Sequence, residues 1–355
     1  MRKCLIYVLF LVAGERSPAQ MPSGDWGSVN SGADGGFSFS TGTSSGIAEL
    51  RQLTASRTTG RVTLGFTKNR QPVNAYFFPG RSEKRALVLG GMHGSELSSI
   101  EVAREVMKSI ISGTMPEYNV VVIPTLFPDN AIYALSPEKG AVNKGRYTDA
   151  SNADPNRQMP PLGKAFDKSS PTDLYGRTIE KENQMLLELI QEFAPERIVN
   201  LHAIRDITKA GIYADPRTDC EGYALGFESD SLLAVMMAKQ IAEAGGPVPG
   251  NRLDTQPTAV YHCDPVVVPA GSFQKRNLHG SKLPNNRGYG VSLGSWATTA
   301  VCEEGKQRDA IQLLTVEFPG YKNSSAYQGK ERENRLMNVR LYANAIVKVF
   351  LGSGN

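Results

Sequence analysis

The chain has 355 residues, 40% of them hydrophobic and 21% charged, with a formal net charge of +4 at pH 7. That length buries a large core as one big domain or two smaller ones, and the composition is globular. The mild charge, with no long basic cluster and no acidic tail, argues against a nucleic-acid partner.

The N-terminus reads as a targeting segment. Arg2 and Lys3 precede an apolar run at residues 4–14, which is too short to span a bilayer. Ser17 and Ala19 supply small residues for a signal peptidase, so residues 1–19 are expected to be a signal peptide. No later segment is apolar enough to cross a membrane. The expected chain is exported, periplasmic or extracellular, without stable membrane insertion. Cleavage removes Cys4 and leaves Cys220, Cys263 and Cys302. At most one disulfide then forms, and the sequence does not choose the pair.

Residues 20–46, rich in Gly, Ser and Thr, read as a flexible lead-in. A single catalytic domain is expected over 47–355. "RVTLGF" and "PVNAYFF" are two strands joined by "TKNRQ". "RALVLGGM" is a continuous apolar run, as a strand covered on both faces requires. Helical spacing follows over residues 96–111, then the buried strand "YNVVVIPTL". Residues 173–193 are amphipathic and predict a helix. "ERIVNLHA" is a strand ending at His202, residues 231–244 a helix, "LLTVEFPG" a strand, and residues 332–351 a closing helix. Strands alternating with helices predict an α/β fold, an α/β/α sandwich around a mixed, mostly parallel sheet.

In such sheets ligands sit beyond the carboxyl ends of the strands. His93 ends one strand, His202 another, and Glu317 lies at or near the end of a third. Glu96 follows His93 by three residues. Two His and one carboxylate form a known catalytic zinc set, and a further carboxylate can take a proton from water. Glu317 lies between Val316 and Phe318, where a buried charge without a task is costly. His262 and His279 read as loop histidines.

These stretches resemble the carboxypeptidase A-like family of zinc metallopeptidases. "HGSE", a His 106 residues after its Glu, and "TVEFP" are similar to the family's metal and base motifs. "LGFTKNRQPVNAYFFPG" resembles its opening hairpin, "DPNRQMP" its substrate loop, and "GVSLGSWA" the loop with a Trp before the catalytic strand. The matches keep family order over roughly residues 55–350.

The resemblance implies one zinc ion held by His93, Glu96 and His202, with zinc-bound water as nucleophile. It makes Glu317 general base and then acid, and gives Arg146 the oxyanion. Asn156 and Arg157 receive a substrate carboxylate, and Tyr289 closes over the substrate. The implied activity is a metallocarboxypeptidase acting on a peptide. Where the family often has Asp-Trp this chain has Ser295-Trp296, so the preferred residue is not readable. The alternatives are a murein peptide amidase cutting γ-D-glutamyl bonds of peptidoglycan stem peptides, an N-acyl amino acid deacylase, and an inactive binding module. Trp296 is expected to pack under the substrate loop and Trp26 to be exposed. The long basic stretch before the Trp loop is read as a cleft rim or a solvated loop.

Overall fold

In the computed structural model, which describes residues 46–136, 138, 145–148, 153–253 and 288–352, seven strands make one sheet. They are β1 (Gly60–Phe66), β2 (Pro72–Phe78), β3 (Arg85–Leu89), β4 (Asn119–Ile123), β5 (Arg197–Ile204), β6 (Gly211–Asp215) and β7 (Gln312–Pro319). Their spatial order is β1-β2-β4-β3-β5-β7-β6. The four inner strands β4, β3, β5 and β7 run parallel. The outer pairings, β1 with β2, β2 with β4 and β6 with β7, are antiparallel. The α/β class with a mixed sheet is therefore as the sequence predicts, with the parallel pairings confined to the middle.

Both faces of the sheet are covered, which is why its inner strands read as unbroken apolar runs. Successive side chains on a strand alternate between faces. Ala86, Val88, Val120, Val122, Val199, Leu201, Val316 and Phe318 pack on one side. Helices α2 (Leu97–Ile111), α5 (Glu228–Glu243) and α7 (Gly329–Ala345) cover that side. Leu87, Leu89, Val121, Ile123, Ile198 and Leu313 pack on the other. That side is covered by α1 (Gly46–Ser56), α4 (Lys181–Phe193) and the short α6 (Leu293–Ala297). Helix α3 (Pro128–Ala134) follows β4.

Several boundaries differ from the sequence expectation. The first described element, α1, starts at Gly46, beside the expected domain start at residue 47. The helix expected over 173–193 starts only at Lys181. Asp173 instead accepts the backbone N–H groups of Tyr175 and Arg177, at 2.8 and 2.9 Å, and this side-chain turn competes with helix. Gly176 adopts φ +73°, which also breaks it. Strand β5 does not end at His202 but continues through Ala203 and Ile204. The closing helix starts at Gly329, and its last part, Ile346–Phe350, is a π-helical turn.

Cys220 and Cys302 are disulfide-bonded, with Cα atoms 5.9 Å apart. Cys263, the third cysteine, lies outside the described residues. So do the signal-peptide segment, nearly all of the lead-in with Trp26, His262, His279 and most of the basic stretch before the Trp loop. Among the described residues no helix is long and apolar enough to cross a membrane.

Candidate metal centre

Strand alternation puts His202 and Glu317 on one face. Ile198, Asn200 and His202 share a side of β5, and Leu313, Thr315 and Glu317 share the matching side of β7. In the parallel pairing His202 stands opposite Glu317. Strand β3 lies on the other side of β5 and ends at Leu89. Gly90 and Gly91 then turn the chain towards β4. Gly91 has φ +64°, and a Cβ there would sit 3.0 Å from the Thr125 Cα, so the turn needs glycine. His93 follows, and Glu96 occupies the N-cap of α2, where the helix dipole favours negative charge.

The three side chains meet under cover: His93, Glu96 and His202 are 3%, 4% and 4% exposed. One donor atom from each lies within 4.8 Å of the others. His93 Nδ1 is 2.9 Å from Glu96 Oε1, and His202 Nδ1 is 2.9 Å from Glu96 Oε2. The Ala203 N–H also donates to Glu96 Oε2, at 3.1 Å. Both imidazoles thus present the same nitrogen to one carboxylate.

The opposite ring nitrogens have partners too. His93 Nε2 lies 2.8 Å from Asp154 Oδ1, and His202 Nε2 lies 2.9 Å from the Asn200 amide. The Asn200 Oδ1 is buried with no partner. A half-turn of that amide, indistinguishable in shape, brings Oδ1 to a proton on His202 Nε2 and moves Nδ2 to the place that has no partner. With a metal bound, each histidine would donate from Nε2 and turn its Nδ1 lone pair inward. That is the tautomer a metal ligand needs. The donor set of two imidazoles and a carboxylate, each oriented by an outer acceptor, fits zinc.

The electrostatics reflect the crowding. Burial alone would lower the His93 pKa, but the charges of Glu96 and Asp154 outweigh it and raise it to about 9. Burial would raise Glu96, yet His93 and His202 bring it well below its usual range. Asp154 is likewise pulled down against burial, to about 2, by its bond to His93 and by Arg146 and Arg157. Glu317 goes the other way. Burial, helped by the Glu96 charge, raises it above an ordinary glutamate despite His202, His93 and Arg146.

Arg146 closes the group. Its Nη1 donates to Glu96 Oε1 at 2.8 Å and its Nη2 lies 3.6 Å from Asp154 Oδ2, while the side chain stays 39% exposed. Asn130 on α3 holds the backbone on both sides of it, donating to the carbonyls of Gly145 and Tyr147 at 3.2 and 2.8 Å. A cavity of about 370 Å³ opens here, with Glu96, Arg146 and Glu317 among its walls.

Asn156 sits beside the centre, its Nδ2 3.4 Å from His202 Nε2 and its Oδ1 accepting the Leu293 N–H at 2.9 Å. Arg157 is its neighbour, with Nη1 on the Asn156 carbonyl at 2.6 Å. Tyr289 enters the region through its backbone, its carbonyl accepting from Arg177 Nη2 at 2.8 Å. These three do not line the cavity itself. Gly290 has φ +139° and a Cβ there would lie 1.9 Å from the Arg157 carbonyl oxygen, so the two loops touch only because residue 290 is glycine. Trp296 is buried as expected, and its Nε1 donates to the Lys164 carbonyl at 2.9 Å.

Sequence reasoning assigned no role to Asp154, Asn200 or Asn130. Asp154 had a signal, being the first residue of the "DPNRQMP" stretch. Asn200 had another, two positions before His202 and so on the same strand face.

No protein-family model matches the chain. No curated protein matches it at a significant level. Several solved structures do. A protein from Shewanella amazonensis assigned to the metallopeptidases is 15% identical, with a TM-score of 0.47, covering 86% of this chain and 92% of that one. A metallo-carboxypeptidase from Pseudomonas aeruginosa, solved with (2-guanidinoethylmercapto)succinic acid, is 14% identical with a TM-score of 0.46. That match covers 84% of this chain and 67% of the other. The carboxypeptidase A of Helicoverpa armigera is 14% identical with a TM-score of 0.45, covering 85% and 71%. Identities this low leave the activity to be read from the site's own atoms.

Proposed function

We propose that the chain is an exported zinc metallocarboxypeptidase. One observation carries the reading: His93, Glu96 and His202 converge on one point, and Glu317, opposite His202 on the adjoining strand, lines the same cavity as Glu96. A buried carboxylate with a raised pKa beside a metal site is suited to proton transfer, not to packing.

Zinc, when bound, is a Lewis acid that makes water acidic enough to react near neutral pH. The chain's own residues do the rest. Glu317 takes the proton of the attacking water on its carboxylate and returns it to the leaving amine nitrogen. Its raised pKa keeps both directions of transfer accessible. Arg146 directs a guanidinium N–H at the carbonyl oxygen as charge grows there. Arg157 and the Asn156 amide take the free carboxylate of the substrate, with Arg157 able to grip it bidentately. Tyr289 covers the bound peptide. The Cys220–Cys302 disulfide supports the exported reading, because such bonds persist in oxidising compartments.

The test incubates the chain and its Glu317→Gln variant with free peptides and muropeptide stem peptides, and weighs the products by mass spectrometry. Loss of single C-terminal residues, absent in the variant, is expected. Cleavage only at a γ-D-glutamyl bond would replace this reading with a murein peptide amidase. No product from the zinc-loaded chain would refute peptidase activity.

A further inference from the structure

The loop that carries Asn156 and Arg157 is a single 3-10 turn, Pro155–Arg157. One turn has too few hydrogen bonds of its own to hold a position, so its neighbours set its shape. Asp154 caps it, accepting the Asn156 N–H at 2.9 Å. Asn183 on α4 is fully buried and donates to the Pro155 carbonyl at 2.8 Å. The Arg157 carbonyl is held by Arg177, whose Nη2 donates to it at 3.0 Å. The same nitrogen donates to the Tyr289 carbonyl at 2.8 Å. One end of one guanidinium therefore ties together the two loops assigned to the C-terminus of the substrate.

Arg177 is itself fixed. Its Nε donates to Asp173 Oδ2 at 2.6 Å, with the Asp173 carboxylate fully buried and the Arg177 side chain 16% exposed. Asp173 Oδ1 accepts the backbone N–H groups of Tyr175 and Arg177, so the carboxylate cannot swing away. The guanidinium also lies over the Tyr175 ring, 5.4 Å from its centroid. A planar fork pinned through Nε and stacked on a ring has its Nη2 direction set in advance. Gly290 leaves the space it needs, since a Cβ there would lie 2.9 Å from Arg177 Nη2. Asp173 neutralises the Arg177 charge, which suits Arg177 to holding backbone and not to binding the substrate.

The hold matters because of where it acts. Fixing the peptide plane at Arg157 fixes the origin and direction of the Arg157 side chain. Its guanidinium folds back over the same turn, with Nη1 on the Asn156 carbonyl at 2.6 Å, so its aim follows the turn's shape. A bidentate grip tolerates displacements of only about 0.5 Å.

We propose that Arg177 is a positioning residue for substrate binding: by holding the Arg157 and Tyr289 carbonyls on one nitrogen, it aims the Arg157 guanidinium at the terminal carboxylate of the peptide. The role rests on the carboxypeptidase reading above, in which Arg157 grips that carboxylate.

The test measures calorimetric Kd values for one peptide with a free C-terminal carboxylate and for the same peptide as its C-terminal amide. The protein is the full zinc-loaded chain carrying Glu317→Gln, which suppresses turnover. The carboxylate form is expected to bind about 100-fold more tightly, the scale of a bidentate charge-assisted pair. Adding Arg157→Gln brings that ratio near one. Adding Arg177→Gln instead lowers the ratio at least about tenfold, with zinc content unchanged. In the double variant Arg157→Gln/Arg177→Gln the ratio equals that of Arg157→Gln, because both changes remove the same contact. Should Arg177→Gln fail to fold, Arg177→Lys decides: it keeps a cation beside Asp173 but lacks the fork, and it too lowers the ratio. A purely structural role would weaken both peptides together and leave the ratio intact. That result overturns the positioning role and leaves the carboxypeptidase reading in place. A ratio near one before Arg177 is changed means that no carboxylate is gripped, and both fall.

Discussion

His202 and Glu317 stand opposite each other on adjacent parallel strands and face the same side of the sheet. On the proposed reading, a metal ligand and a proton acceptor are thereby held at a fixed spacing by backbone hydrogen bonds rather than by a loop. Glu317→Gln keeps the shape and the strand pairing but cannot accept a proton. We expect unchanged zinc content and melting temperature, with kcat lowered at least about 10²-fold. His202→Ala should instead lose most of the metal. Full turnover in Glu317→Gln, or full zinc in His202→Ala, measured by elemental mass spectrometry, would sink these assignments.

Asp154 and Asn200 hold the outer nitrogens of the two histidines. Asp154→Asn weakens the acceptor that fixes His93, and Asn200→Ala removes the one at His202. Each should cost about 10- to 100-fold in zinc affinity, as outer-shell partners do elsewhere. Competition with a chromophoric chelator reads the affinity directly. Affinities equal to wild type in both variants would mean that the histidines are oriented by packing alone.

His93 is raised to about 9 in the metal-free protein, chiefly against burial, by Glu96 and Asp154. It therefore carries a proton at pH 7.5 and must lose it to bind metal, whereas Glu96 is already ionised. Zinc binding should release about one proton, and affinity should rise about tenfold per pH unit between about pH 7 and 9. Calorimetric titration in two buffers of different ionisation heat counts that proton. A count of zero would show that His93 is neutral before the metal arrives.

The parts of the site most legible in the sequence were those at the ends of apolar runs. His93 follows the apolar run of β3 after Gly90, Gly91 and Met92, and His202 and Glu317 each lie third from the end of a largely apolar strand, so their positions relative to the sheet could be read without a structure. Glu96 was legible through its spacing from His93. Asp154 and Asn200 were legible only as neighbours of assigned residues, in the DPNRQMP stretch and two positions before His202, because neither a hydrogen bond across 61 residues nor a buried amide announces its partner. Strand β6 escaped because "GIYAD" is short, lies at the sheet edge and alternates too briefly. The start of α4 was misplaced because residues 173–180 have helical spacing but close on Asp173 instead. The disulfide partner of Cys220 depended on loop packing around α6, which no spacing encodes.

Glu182, in the first turn of α4, is 8% exposed. Burial raises its carboxyl to about 7, and the charges of Glu180 and Asp129 add to this against a bond to its own backbone. In the unfolded chain it titrates near the ordinary glutamate value of 4.5. The folded state thus holds the proton more tightly, so stability falls as pH rises from 4.5 to about 7. Above that window the ionised form costs up to about 3 kcal/mol. Glu182→Gln is permanently neutral and nearly isosteric. It should melt with the wild type at pH 4.5 and above it at pH 8, with both proteins equally loaded with zinc. A gain of similar size at both pH values would mean that the substitution improves packing and that Glu182 does not ionise in the folded protein over this range. No gain at pH 8 would mean that its charge is already compensated there.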